Sequence, residues 1–154
     1  MKKILLLLLS TLYLFSCGSL FEGVADSKSC TPEGVWYYFD FGNQGPYHIN
    51  INGKSGKYDK VGLGSNADQA IKAGIISTTD FAIRNIEKIG TNNDNPQYSA
   101  EFRTYQTNQN GKVVSSFFDP CTIEVQTLNT SLNPCNMLMI TDPSGYIVFA
   151  EKIE

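Results

Sequence analysis

Hydrophobic and polar positions alternate through most of this chain with a period of two, the period of a strand with one covered face. Tyr47, Ile49 and Ile51 alternate with His48, Asn50 and Asn52. Tyr98, Ala100, Phe102 and Thr104 alternate with Ser99, Glu101, Arg103 and Tyr105. Cys121, Ile123 and Val125 share one side of a run from 121 to 128, and residues 57–61, 75–79 and 112–118 also read as strands. The stretch 36–41 is aromatic on both faces, with Trp36 and Tyr38 on one and Tyr37, Phe39 and Phe41 on the other, so cover is expected on both. In 81–89 the β-branched content and the loop 91–96 that follows favour a strand over a helix.

Turn residues punctuate these runs. Gly53-Lys54-Ser55-Gly56 separates two of them, Asn110-Gly111 predicts a type I′ hairpin, and Asp142-Pro143-Ser144-Gly145 suits a type I turn. Pairing across that last turn is expected to set Leu138 and Ile140 beside Phe149 and Ile147, and Met137 and Met139 beside Ala150 and Val148. One short helix interrupts the pattern over 66–73, with Asn66 and Gln69 as a capping box and Gly74 as its stop. The expectation is an all-β fold: an antiparallel meander of about nine strands closing as a barrel or a β-sandwich, with one short helix.

The N-terminus follows a different pattern. Lys2-Lys3 precede an apolar run from Ile4 to Phe15, which is a secretory signal and, at about 12 residues against the ~20 needed, too short to span a bilayer. Leu14-Phe15-Ser16-Cys17 resembles the lipobox of bacterial lipoproteins, departing from it at Phe15, where a smaller residue is usual. The resemblance implies acylation of Cys17 and residence at the cell envelope, on the outer membrane in the first instance. Residues 1–16 are then the signal peptide, 17–33 a small, polar tether, and 34–154 a single domain. Several acyl chains would hold such a domain firmly at the membrane.

Gly34-Val35-Trp36-Tyr37, at the start of the first strand, resembles the Gly-x-Trp signature of lipocalins and related small barrels. Thr79-Asp80-Phe81 is similar to that family's second motif but falls early, and the late arginine on which the family's tryptophan packs has no counterpart after Arg103. The resemblance implies that Trp36 closes one end of a lipocalin-like barrel around a small apolar ligand. Trp36, Phe102, Met137 and Met139 are the candidate ligand-binding residues, the methionines because thioethers adapt to varied ligands.

Charge and cysteines narrow the picture. Losing Lys2 and Lys3 takes the formal net charge from −3 to −5 and leaves no basic patch, which argues against nucleic acid. With Cys17 acylated, Cys30, Cys121 and Cys135 are an odd set. In an exported protein two of them are expected to form a disulfide, any of the three pairings being open. No CxxC exists and His48 is the only histidine, so no metal or cofactor is expected.

Catalytic signals are weak. Gly53-Lys54-Ser55 lacks the first glycine of a phosphate loop, Gly62-Leu63-Gly64 sits among hairpins rather than in a doubly wound sheet, and no Gly-x-Ser-x-Gly elbow occurs. Asp40, Glu101, Asp119 and Glu124 could supply a carboxylate pair only if the fold brought two together. The leading expectation is a non-catalytic ligand-binding lipoprotein. The alternative is an envelope module that grips a protein or a glycan through the aromatic strand 36–41 or the Asn-rich loops, and a hydrolase ranks last.

Overall fold

The computed structural model describes residues 30–39, 47–128 and 134–153. Eight strands run in order: β1 Gly34–Phe39, β2 Tyr47–Asn52, β3 Ser55–Val61, β4 Phe81–Asn92, β5 Asn95–Thr107, β6 Val113–Gln126, β7 Met137–Thr141 and β8 Ile147–Lys152. Each pairs antiparallel with the next, and β8 returns to β1 through Trp36–Lys152 and Phe39–Phe149, closing the barrel. The single helix among the described residues, α1 Asn66–Lys72, lies between β3 and β4.

Eight strands replace about nine for two reasons. Residues 75–79 form a turn after the helix, tied by Asp80, whose backbone N–H donates to the Ser77 carbonyl. The runs expected at 112–118 and 121–128 are one strand, β6, which passes through Pro120. Proline is excluded from strands flanked on both sides because it cannot donate to the ladder. Pro120 pairs with Glu101 of β5, whereas pairing with β7 begins only at Thr122, so no second neighbour is there to need the missing N–H.

Two turns carry an extra residue. Gly111 and Gly145 have φ of 71° and 85°, and their N–H groups donate to Asn108 and Asp142 carbonyls. Each is a type I turn followed by a left-handed glycine, the form that inserts a bulge. Asn110 is therefore not in the left-handed conformation that a type I′ turn requires. The bulge after Asp142 shifts the last hairpin by one residue from the expected pairing. Leu138 and Ile140 face Ala150 and Val148, and Met137 and Met139 face Glu151 and Phe149. The helix cap also moves by one: Ser65, not Asn66, accepts from the Asp68 N–H, while Asn66 is buried. Gly74, at φ 69°, ends the helix as expected.

The barrel interior is filled. Tyr38 stacks between Tyr47 and Phe102, with ring centroids 4.8 and 5.4 Å away. Tyr47 meets Tyr58 edge-on, and the Tyr58 and Tyr105 hydroxyls lie 2.6 Å apart. This ladder of five rings crosses a barrel of the size that holds side chains or one small ligand. Ile49, Ile51 and Ile83 pack so closely on Gly56 that an added Cβ would lie within 2.9 Å of all three.

Candidate functional site

The meander gives the barrel two unlike ends. One gathers residues 30–33, the turns after β2 and β4, the connection after β6, and the C-terminus. A disulfide joins Cys30 to Cys135 there, one of the three pairings left open by the sequence. The Trp36 Nε1 donates to the Pro32 carbonyl at 2.7 Å, and the Tyr98 hydroxyl donates to the Cys30 carbonyl at 2.9 Å. The incoming chain is thus folded over a Trp36 ring that is only 1% exposed. Lys152, in the last strand, sets its Nζ 5.4 Å from the centre of that ring.

The other end carries α1 and the two bulged turns. α1 packs chiefly against β6, where the Gln69 Oε1 accepts from the Val113 N–H. By the β7–β8 turn a cavity of about 100 Å³ opens, with Tyr38, Phe102, Cys121, Ile140 and Val148 as its apolar floor. Arg103, Asp119, Asp142 and Tyr146 surround it. Arg103 is fixed by donating from Nε to the Phe81 carbonyl and from Nη1 to the Ser116 hydroxyl, and it lies over the Phe118 ring. Asp142 is held in its turn by the Ser144 hydroxyl and by backbone N–H groups, which keep its carboxyl below the usual range. Burial, with Glu101 nearby, pushes the Cys121 thiol up to about 12, so it stays protonated and inert.

The expected lining residues do not converge. Phe102 lines this cavity, while Trp36 is buried in the sealed end. Met137 and Met139 lie on the outer face, because the buried Leu138 and Ile140 between them take the inward positions. Their flexible side chains border two external grooves instead. The expected pairing sets Ile140 on the face opposite the Met137–Met139 lining and Val148 beside Met139; the observed register pairs Ile140 with Val148, and both line the cavity. Tyr38, Ile140 and Cys121 all occupy the apolar side of their strands, which was the available signal.

Of the carboxylates, Glu101 pairs with Arg84 at 2.6 Å, Asp119 faces the cavity, and Glu124 lies beneath the outer surface of β6. His48 is half-buried outside the barrel, edge-on to Tyr37 at 5.3 Å. Cys17, Asp40 and Phe41 lie outside the described residues, as does the side chain of Phe39. Among the described residues no group of three or more His, Cys, Asp or Glu is placed to hold a metal. No family model, curated protein or solved structure matches the chain.

Proposed function

We propose that this protein is a lipid-anchored, non-catalytic barrel of the bacterial cell envelope that binds a small apolar ligand at its open end. The observation that carries the reading is the cavity between Tyr38, Phe102 and Val148, an apolar recess that opens at the end opposite Cys30, where the tether enters. A recess facing away from the attachment point is accessible while the domain is held at a membrane. The disulfide fits an oxidising compartment and so supports export.

Volume sets the ligand. The cavity of about 100 Å³ falls short of the ~300–1,000 Å³ of sites for drug-sized molecules. It is nearer the ~150 Å³ in which an apolar protein cavity holds benzene. The occupant is therefore a single ring or the end of a chain, seated against Phe102 and Tyr38, rather than a whole lipid enclosed by the barrel. Adding benzene to the folded protein should produce saturable NMR shifts at Tyr38, Phe102, Ile140 and Val148. Substituting Val148→Trp, which fills the mouth, should abolish them. Unchanged spectra, or equal shifts in the Val148→Trp variant, would refute the reading.

A further inference from the structure

A larger recess, about 440 Å³, lies on the outer side of the barrel wall and adjoins the mouth, with which it shares Pro120, Cys121 and Asp142. It runs along the outer faces of β6 and β7 from Asn92 and Glu124 to Pro143. Glu124 is its unusual member. The residue is 3% exposed, and none of the ion pairs among the described residues includes it. Only neutral amides surround the carboxylate: Asn92 donates at 2.9 Å, Asn95 at 2.9 Å and Gln126 at 2.8 Å, with Gln97 also hydrogen-bonded to it.

This cage holds the group ionised. Burial pushes its carboxyl up, but the hydrogen bonds from Asn92, Gln126, Asn95 and Gln97 more than offset that, leaving it below the ordinary range. A carboxylate can only accept, so each amide turns its NH₂ inward and its oxygen away. The groove thereby has a fixed negative charge at one end, bordered by the side chains of Asn92 and Gln97. Its walls add no cation: Pro120, Met139 and Pro143 are apolar, Thr122 and Thr141 are hydroxyls, and Asp142 is acidic.

We infer that this groove binds an alkylammonium group, a primary amine carried on an apolar stem, with the ammonium beside Glu124 and the methylenes along Met139 toward Pro143. An ammonium brings three donors and the missing countercharge, and a stem of four to six carbons matches the apolar wall. A lysine side chain of a partner and a free diamine share this chemistry.

NMR titration of the folded domain separates the possibilities. The probes are Nα-acetyl-lysine methylamide, 1,6-diaminohexane and, as an uncharged analogue, 1-hexanol. Both amines should give saturable shifts at Thr122, Glu124, Met139 and Thr141, and the better should bind at least about tenfold more tightly than hexanol. Tighter binding of the lysine derivative assigns the groove to a protein partner, and tighter binding of the diamine assigns it to a free polyamine. Met139 stands directly across from Glu124 in the β6–β7 ladder. The Met139→Lys variant places a tethered ammonium in the groove, giving up the contact of the Gln126 Nε2 with the Met139 sulfur but keeping the Asn92 and Asn95 hydrogen bonds to Glu124, and should abolish amine binding. The inference is overturned if hexanol binds as well as the amines, if no shift saturates, or if Met139→Lys leaves amine binding unchanged.

Discussion

The two ends of the barrel are built from opposite materials. At the Cys30–Cys135 end the strands are closed off by a covalent bond, a buried indole and backbone carbonyls that accept from Trp36 and Tyr98. At the other end the aromatic ladder stops at Phe102 and smaller side chains follow, leaving space above Cys121 and Val148. The difference shows how one continuous sheet can devote one end to stability and keep the other available. Substitutions at the sealed end should cost stability and spare the mouth, whereas those at the mouth should do the reverse.

The largest effect is expected for Trp36→Ala. Truncating a fully buried aromatic costs about 3–5 kcal/mol, and here the Pro32 carbonyl also loses its donor. Chemical denaturation should register that loss. Replacing both Cys30 and Cys135 by Ser should cost about 2–5 kcal/mol, since the bridge spans a long loop of chain. Benzene binding by whatever remains folded should be unaltered in both variants. A loss of binding in step with stability would show that the two ends are not separable.

A smaller effect belongs to Glu124, which ties the β4–β5 turn to β6 through Asn92 and Asn95. Its folded-state pKa is depressed, so its contribution is present above the ordinary carboxylate range and is lost as pH falls through the folded-state value. Glu124→Gln should therefore lower stability at pH 7 and matter little below that value, as denaturation at the two pH values will show. The smallest stability effect is expected for Cys121→Ala at the mouth, of the order of 1 kcal/mol for a lost sulfur. In the native protein the Cys121 thiol should resist iodoacetamide at pH 8 and react on unfolding, as mass spectrometry of its peptide can establish.

The all-β meander was legible in the sequence because alternation is a property of each strand taken alone, whereas its closure as a barrel rather than a sandwich rests on the β8–β1 pairing. Tyr47, Ile49, Ile51, Ile123 and Val125 fall inside as their pattern demands. The Gly34–Tyr37 stretch was read as the start of a strand whose tryptophan is structural, and Trp36 is buried at the sealed end. Register between strands was less legible, because it depends on turn geometry. Asp142-Pro143-Ser144-Gly145 has the composition of a tight turn, yet Gly145 adopts φ 85° and inserts a residue before β8. A slip of one residue exchanges the partners on both faces. Here it moves Val148 from beside Met139 to beside Ile140. The placing of Met137 and Met139 in the lining came instead from choosing the wrong face of β7.

Chemistry that depends on distant residues meeting was not legible at all. The Glu124 cage draws on β4, β5 and β6, and nothing about Asn92, Asn95 or Gln126 in isolation marks them as its walls. Lys152 stands over Trp36 although the lipocalin resemblance had directed attention to an arginine.

The Cys30–Cys135 bond also determines how the domain carries force. Tension entering through the chain before Cys30 and leaving at the C-terminus would cross the sulfur bridge directly to the connection ahead of β7. The segment between the cysteines, which are 105 positions apart in the sequence, is thereby taken out of the load path, and strands β1 to β6 cannot be drawn out. Only the residues after Cys135 can lengthen, each by at most about 3.3–3.6 Å. Load crossing the bridge would therefore reach β7 and β8 first, the strands that carry Ile140 and Val148 of the mouth and close the barrel against β1.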